Sequence, residues 1–411
     1  MRNKLIAILA MALAPTVSVA ASDMATNAEY KVRYNLMQNE SFTKDNNQSA
    51  WEQRFKLGMT WRAGEKLSAT VSLLHNSNWG ADPADVGIAT TDTTEDRFLD
   101  VNQAYATWMT SDDMSVVIGR QPIAFGDGTI FHQNDWEHEP YSFEGVGIAY
   151  DTEFAGINFW GVQIYDAGNT SDGGTRDREH NMYVFSVDVK NMPEFLKMLN
   201  VHIVKHAVNA TSFASAPVTV AADVQQFGLT LQGASGMVDY RLTYSTATGE
   251  AGGADISANM LDGSVGYSLA SFMNSHFELA FHQDSGDDGS GDVTSWDDLP
   301  NYYNLHENAG RMDLYRWGNL TYFKLGWHFD AMEKTTAGLD YYMFSKTEED
   351  DTRHGAAGET NIGSEIDLYA TKKYSDNLAV TARLGMFSPV EDTVGSSDAQ
   401  THVFLEGKFK F

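Results

Sequence analysis

Apolar and polar residues alternate along most of this chain. In residues 29–37 each even-numbered position is apolar, from Tyr30 to Leu36, whereas the odd-numbered positions include Lys31 and Arg33. The same period of two recurs in residues 50–62, 237–246, 378–388 and 400–411. A period of two indicates β-strands whose two faces meet different surroundings.

The length of these segments separates a membrane barrel from a soluble sandwich. The candidates run to about 9 to 13 residues, which suits a tilted membrane strand, whereas soluble strands average roughly 5 to 6. Their apolar faces end in aromatic residues, as in Trp51 and Trp61 or Trp327 and Phe329. Such aromatic positions are typical of the girdles at the two membrane surfaces. The pattern therefore predicts an all-β transmembrane antiparallel β-barrel.

The connections between candidate strands differ in length. Tight turns such as residues 62–66 and 374–377 alternate with long polar segments such as 76–96, 246–258 and 284–308. Outer-membrane barrels show this asymmetry, with short periplasmic turns and long extracellular loops. We therefore expect the outer membrane of a Gram-negative bacterium as the location.

The alternation defines nineteen strand candidates, with 310–318 and 319–330 as consecutive ones. Single-chain bacterial barrels have an even number of strands. We therefore predict about 18 strands (16 to 18), with one strand rather than two in the 310–330 region. Barrels of 16 to 18 strands enclose a water-filled channel.

The first residues have the character of an export signal. Arg2 and Lys4 precede the apolar run 5–13, and small residues follow near Ala21. This order predicts a cleaved signal peptide at residues 1–21. Residues 22–411 are then expected to form a single barrel domain.

Composition limits the partners. The formal net charge is -28 and the chain has no cysteine, which argues against nucleic acid and against zinc-thiolate or cysteine-nucleophile chemistry. No cofactor or metal is predicted. Outer-membrane lipid and lipopolysaccharide should surround the barrel, and Phe411, which ends an aromatic strand, suits recognition by the barrel-assembly machinery.

Residues 116–151 are the most distinctive stretch. They contain Gly119-Arg120-Gln121, Gly126-Asp127-Gly128, Asp135-Trp136 and Phe143-Glu144-Gly145 in that order. This order resembles the alginate-export family of outer-membrane porins. The resemblance implies an 18-stranded, monomeric barrel whose lumen selects anionic or polyhydroxylated solutes.

The resemblance also implies that Arg54 and Arg120 line the solute route, with Gln121 and Asp135 nearby. Thr129 stands where we expect an arginine, and the acidic net charge is unusual for an exporter of a polyuronate. A porin for passive diffusion of small hydrophilic solutes, including anionic or sugar-like ones, is therefore the main hypothesis. A substrate-specific polysaccharide or uronate exporter is the alternative.

Basic residues dominate the polar faces of the candidate strands. We predict that segment 124–142 folds inward as a constriction loop, facing these wall residues. The predicted pore-lining and constriction residues are Arg33, Arg54, Lys56, Arg120, Gln121, Asp135, Trp136, Arg241 and Arg383. A basic lumen would concentrate anions, although these charges could also pair with acids and simply solvate the wall.

Other functions have weaker support in the sequence. A barrel hydrolase would need a pair such as His282 with Asp284, but no local motif marks one. His132 and His138 flank Asp135 and Trp136, where gating is the expected role. The acidic segment 284–298 could bind divalent cations loosely. A barrel without conduction is disfavoured by the strand number, and monomer and trimer both remain open.

Overall fold

The computed structural model describes residues 23–79, 99–136, 140–166, 179–211, 220–296 and 309–411. The predicted signal peptide, His138 and most of the segment 76–96 lie outside these ranges. The described residues form eighteen strands, one 3₁₀ turn (Glu40–Phe42) and one four-residue helix, α1 (Glu391–Val394). No helix within these ranges has the length and apolar content that a membrane crossing requires.

The strands are β1 (Asp23–Gln38), β2 (Gln48–Ala63), β3 (Leu67–Asn78), β4 (Asp100–Met109), β5 (Met114–Gln121), β6 (Phe143–Asp151), β7 (Ala155–Asp166), β8 (Glu179–Val189), β9 (Leu196–Thr211), β10 (Val220–Ser235), β11 (Val238–Ala251), β12 (Ala254–Leu269), β13 (Ser275–Asp284), β14 (Thr321–Met332), β15 (Thr335–Ser345), β16 (Asn361–Ser375), β17 (Leu378–Pro389) and β18 (Gln400–Lys410).

The sheet closes on itself. Each strand pairs antiparallel with its neighbours in the chain, and β1 also pairs with β18, from Glu29 opposite Lys410 to Gln38 opposite Thr401. Two backbone hydrogen bonds between Ala28 and Phe411, of 3.1 and 2.8 Å, complete the seam. The predicted all-β antiparallel barrel with 18 strands is confirmed. Closure leaves no strand edge without a partner, which a sheet in lipid requires.

The two faces of the barrel explain the alternation. Large apolar side chains cover the outside, among them Ile118 at 58%, Leu279 at 61% and Phe323 at 53% exposure, whereas polar side chains such as Asn200 and Glu365 are fully buried inside. This is the reverse of a soluble protein and matches a barrel surrounded by hydrocarbon.

One predicted loop is a strand hairpin. Segment 246–258 was expected to be a long loop, but β11 and β12 continue through it to a tight turn at Gly252 and Gly253. Both glycines have positive φ, 60° and 89°, which favours glycine over other residues. The alternation of apolar and polar residues is not recognisable here, because the inward positions hold small residues such as Ala247 and Ala258 instead of polar ones.

Candidate strand 310–318 is also wrong, as the odd strand number indicated. The segment is irregular and folds inside the barrel, where Met312 and Trp317 are almost completely buried. Its apolar residues contact the inner wall instead of lipid, and periodicity cannot distinguish these two apolar surroundings.

Among the described residues, two connections thus enter the barrel. We call residues 122–136 and 140–142, between β5 and β6, the first lumen loop, and residues 285–296 and 309–320, between β13 and β14, the second lumen loop. Buried apolar residues from both loops pack against the inner wall. From the first loop these are Ile123, Phe125, Ile130 and Phe131, and from the second Trp296, Met312, Trp317 and Leu320. The apolar core of the molecule therefore lies inside the lumen, and these loops restrict the free volume within it.

Candidate functional site

The first lumen loop binds a cluster of cations on the inner wall. The Asp135 carbonyl oxygen accepts hydrogen bonds from Lys31 Nζ at 3.0 Å and from Arg54 Nη1 at 2.8 Å. Its carboxylate lies 3.2 Å from Arg54 Nη2 and 3.3 Å from Lys56 Nζ. Burial alone would raise the pKa of Asp135, but Arg54, Lys31 and Lys56 together hold it well below its usual range. Asp135 therefore stays charged and fixes the loop to β1 and β2.

A second carboxylate supports the same cations. Glu29, on the inner face of β1, lies 2.8 Å from Arg54 Nη2, 3.4 Å from Lys31 Nζ and 2.9 Å from Lys408 Nζ. Lys31 and Arg54 are both at least nine-tenths buried, and buried cations need such partners. The wall thus presents preformed hydrogen-bond donors to the loop backbone.

Trp136, next to Asp135, lies on guanidinium groups. Arg33 Cζ is 4.0 Å and Arg383 Cζ 4.5 Å from the ring centroid of Trp136. The Phe404 ring lies 5.1 Å from the same indole. Arg33 is also paired with Glu406 at 2.7 Å. Cation–π contacts of this kind are stronger in a desolvated setting, so the indole covers the arginines of β1 and β17.

The other end of the first lumen loop reaches a distant part of the wall. The Asp127 carboxylate accepts hydrogen bonds from Gln232 Nε2 at 3.2 Å and Arg241 Nη1 at 3.4 Å. Arg241 Nη1 also donates to Thr129 Oγ1 at 3.1 Å. Arg241 lies on β11, and Arg54 lies on β2, nine strands away around the ring of eighteen.

The first lumen loop therefore spans the barrel. Asp127 and Asp135 are eight residues apart, a distance of roughly 26 Å for a fully extended chain. So short a segment reaches opposite walls only by passing through the lumen. Each wall holds it by a charge-assisted hydrogen bond, which is stronger than a neutral one.

The second lumen loop is held by carboxylates that accept backbone N–H groups. Asp284 accepts from Gly318 N and Leu320 N, both at 2.8 Å. Glu365 Oε1 accepts from Arg311 N at 2.7 Å and from Met312 N at 3.1 Å. Because both carboxylates are fully buried, these hydrogen bonds are needed to compensate for their desolvation.

Arg311 anchors the same loop with its side chain. Its Nε donates to Asp340 Oδ2 at 2.9 Å, and its Cζ lies 3.7 Å from the ring centroid of Tyr369. Burial alone would lower the pKa of Arg311, but Asp340, Tyr369 and Tyr342 together outweigh it and raise that pKa. The guanidinium therefore remains charged beside the buried carboxylate.

A chain of charged groups connects the two lumen loops. His282 hydrogen-bonds to Asp284 Oδ2 at 2.9 Å and to Asp262 Oδ2 at 3.2 Å. Asp262 also forms an ion pair with Arg241, which binds Asp127 of the first loop. Both imidazole nitrogens of His282 are thus occupied by carboxylates, and the side chain is fully buried. This geometry holds the loops together and offers no hydroxyl nucleophile to the imidazole.

A cavity of about 520 Å³ remains beside the two loops. Trp136 of the first loop and Arg311 of the second both border it, and β1, β2, β16, β17 and β18 form its wall. Three arginines line it (Arg33, Arg311 and Arg383), together with four carboxylates (Glu40, Glu52, Asp313 and Asp367). This volume is within the range of small-molecule sites.

Most predicted pore residues lie in these clusters. Arg33, Arg54, Lys56 and Arg383 surround Asp135 and Trp136, and Arg241 holds the opposite end of the loop, as described above. We also predicted Arg120 and Gln121 for the pore, and neither contacts this cluster among the described residues.

Arg120 is two positions after Ile118 in β5 and is therefore on the same, outer face of the strand. It forms an ion pair with Glu144 at 3.7 Å. Gln121 is buried and donates to the Gly145 carbonyl oxygen at 3.3 Å. The two residues follow Gly119, where φ is +123° and an added Cβ would lie 2.3 Å from the Ala104 carbonyl oxygen. The motif Gly-Arg-Gln therefore serves the end of β5 rather than the constriction.

The sequence analysis missed the inward-facing acids of β12, β13, β15 and β16. These are Asp262, Asp284, Asp340, Glu365 and Asp367. A signal existed, because Glu365 and Asp367 alternate with the apolar Ile366 and Leu368, which places both carboxyl groups on the polar face. The sequence analysis indicated a lumen dominated by basic residues. The structure shows that these strands add a group of acids to it.

The acidic segment 284–298 is described as far as residue 296. Asp288 Oδ1 accepts from Ser290 N at 3.0 Å, and these hydrogen bonds to Ser290 lower the pKa of Asp288. The described residues contain no group of three or more ligands suited to a metal ion. Of the flanking histidines, His132 is described; burial lowers its pKa, against an opposing effect of Asp135.

Comparisons with known proteins agree with this architecture. The sequence profile of the family described as alginate export matches residues 22–403. No curated protein matches the chain. Among solved structures, Pseudomonas aeruginosa OpdL is similar, with a TM-score of 0.63, 11% identity and coverage of 95% of this chain and 99% of that one.

Two further structures from Pseudomonas aeruginosa show the same fold. OpdK with vanillate has a TM-score of 0.62 and 12% identity, covering 95% of this chain and 99% of that one. OccK11 (OpdR) has a TM-score of 0.60 and 13% identity, covering 94% and 96%. At these identities the likeness establishes the barrel fold and leaves the solute open.

Proposed function

This chain belongs to the alginate export family, and from that premise we propose that it forms an outer-membrane channel for passive diffusion of small hydrophilic solutes. The observation that carries the proposal is the polar cavity of about 520 Å³ left beside two docked loops in a barrel whose outer face is apolar. An apolar exterior fits hydrocarbon, and charged walls with a restricted free volume fit the passage of small polar molecules.

The proposal includes the location and the surroundings of the barrel. We propose the outer membrane of a Gram-negative bacterium, with lipid and lipopolysaccharide against the outer face and the barrel-assembly machinery acting through Phe411. No protein cofactor enters the proposal, because diffusion through a charged passage needs only the wall and the concentration gradient of the solute.

Small solutes are favoured over a polymer by the two loops. Trp136 and Arg311 both border the free volume and both are bound to the wall. A polysaccharide or uronate chain would have to pass between them, so export of a polymer requires the loops to detach. The passage as it stands suits single small molecules, including anionic and sugar-like ones.

Planar-bilayer recording of the purified barrel tests the channel. We expect stepwise conductance, and we expect liposomes containing the barrel to swell faster in small sugars than in oligosaccharides. Empty liposomes provide the baseline. Absence of any conductance by a correctly folded barrel would overturn the proposal, and hydrolysis of lipid or peptide by such a barrel would favour an enzyme instead.

A further inference from the structure

We infer that the solute which this passage favours carries both a negative and a positive group, as an amino acid or another zwitterion does. This inference rests on the proposed channel function and concerns which solute passes. It follows from the distribution of charge around the lumen, where two adjacent sectors of the wall have opposite sign and meet at the cavity.

The basic sector consists of β17, β18, β1 and β2. Its buried or half-buried inward-facing cations are Lys31, Arg33, Arg54, Lys56, Arg383 and Lys408. Three carboxylates face inward on the same strands, Glu29, Glu52 and Glu406. Asp135 of the first lumen loop adds a fourth. Six cations against four carboxylates leave two positive charges in excess.

The acidic sector extends from β11 to β16. Its buried or half-buried inward carboxylates are Asp239, Asp262, Glu278, Asp284, Asp340, Glu365 and Asp367. Arg241 and Lys324 are the buried or half-buried arginine and lysine on the same faces, and the lumen loops add the half-buried Arg311 and Asp127. Eight carboxylates against three cations leave a formal excess of five negative charges. A proton on His282, between Asp262 and Asp284, and one shared by the adjacent carboxyl groups of Glu365 and Asp367 would still leave three.

The cavity lies at the boundary between the sectors. β16 and β17 are neighbouring strands, and Asp367 is opposite Gly385 while Arg383 is opposite Tyr369. The carboxylate and the guanidinium are thus a diagonal pair across the boundary, for which backbone separations of roughly 7 to 8 Å are usual. Both residues line the cavity. Gly385 lets Met312 and Asp367 approach the backbone, since an added Cβ would lie 2.5 Å from Met312 Cγ and 2.9 Å from Asp367 Oδ1.

Opposite fields on two sides of a narrow passage discriminate between kinds of charge. An anion is attracted by Arg33 and Arg383 but repelled by the carboxylates that line the same cavity. A cation is attracted by the carboxylates and repelled by the arginines. A solute with separated charges can face both sectors favourably at once. Because the passage excludes much of the bulk water, these interactions are screened less than at a free surface.

Two four-carbon solutes without net charge provide the test. 4-Aminobutyrate carries separated charges and erythritol carries none, so their swelling rates in liposomes containing the full-length barrel are directly comparable. We expect 4-aminobutyrate to enter faster than erythritol by roughly three- to tenfold. In planar bilayers, reversal potentials in succinate and in 1,4-diaminobutane salts should show no strong preference for either ion.

Variants assign the effect to the sector boundary. Arg383→Gln and Asp367→Asn should each bring the ratio of swelling rates toward one, whereas Arg383→Lys should retain most of it. The control is Lys205→Gln, which changes an outward-facing residue paired with Asp223 at 3.0 Å. Heat-modifiable electrophoretic mobility establishes that each barrel is folded. If either Arg383→Gln or Asp367→Asn does not fold, the other variant provides the test.

The outcomes separate this inference from the channel itself. Equal entry of 4-aminobutyrate and erythritol through a conducting barrel overturns the zwitterion preference and leaves the channel intact. A strong preference for succinate also overturns it and supports a simple anion route. Absence of both conductance and swelling contradicts the proposed function, and with it this inference.

Discussion

The Asp135 carboxylate lies 3.2 Å from the guanidinium of Arg54, although 81 residues separate them in the chain. This contact joins the first lumen loop to the wall, and it is made by a carboxylate that is one-third exposed and a guanidinium that is almost fully buried. Loss of the carboxylate would leave buried cations without one of their partners, which costs more than loss of an exposed ion pair.

Asp135→Asn should therefore loosen the first lumen loop. We expect the free energy of unfolding to fall by about 1 to 3 kcal/mol, since the backbone carbonyl of residue 135 and Glu29 still serve the cations. Single-channel conductance should rise and become noisier. Asp151→Asn is the matched control, because it removes an exposed ion pair with Lys190 at the turn end of β6, away from the cation cluster; its effect should be below about 1 kcal/mol.

The pH dependence of the channel follows from the same carboxylate. The pKa of Asp135 is lower in the folded protein than the unfolded value of about 3.9. Its stabilising contribution is therefore complete above about pH 4 and is lost as the pH falls further. We expect Asp135 to hold the first lumen loop in place from pH 8 to about pH 4, and the loop to loosen under stronger acid.

Titration of the Asp135→Asn variant in the bilayer provides the comparison, because the acid-induced change assigned to Asp135 should be missing from it. Burial keeps the pKa of His132 below its ordinary value, against the opposing Asp135. His132 should therefore stay neutral near pH 6.5 and produce no step there. A conductance step at that pH that disappears in His132→Gln would contradict this assignment.

Trp136→Ala should widen the passage and expose its arginines. The indole lies on Arg33 and Arg383 and borders the cavity. Its removal should increase the conductance and shift the reversal potential toward anion selectivity, because a larger part of each guanidinium group then faces the cavity. Trp136→Phe should give a smaller change. Unaltered conductance in Trp136→Ala would show that the current passes elsewhere.

The outer apolar face gives a prediction of stability. Leu368, on the outward face of β16, lies between Leu339 and Leu384 of the neighbouring strands. Leu368→Arg should destabilise the barrel in lipid by about 2 to 4 kcal/mol, as expected near the bilayer midplane. Leu67→Arg, at the start of β3 beside a short turn, should cost only about 0 to 1 kcal/mol. Urea unfolding in vesicles measures both variants.

The barrel could be predicted from the sequence because strand pairing and lipid exposure impose a period of two on every strand. Leu368 and Glu365 show this directly. They are three positions apart in β16, so Leu368 faces hydrocarbon and Glu365 faces the lumen. The number of strands followed from the parity rule, and the rejected candidate 310–318 was in the region already identified as doubtful.

The interior could not be predicted in the same way. Apolar residues such as Met312 and Trp317 have the pattern of a lipid-facing strand, although they fill the lumen. The alternation also gives no information on which strands are neighbours around the barrel. The acidic sector that contains Asp367 could therefore be recognised only from the observed order of strands. The docking of Asp135 and Trp136 on Arg33 and Arg54 likewise depends on contacts across more than 80 residues.

The seam between β1 and β18 has a consequence for how the molecule folds. Each other described pairing joins strands that follow one another in the chain, so it closes a much shorter loop and loses less entropy than the seam does. The seam brings Glu29 to Lys410, across nearly the whole chain. Its formation should be the slow, late step of folding, and until then both terminal strands present open edges that can capture another copy.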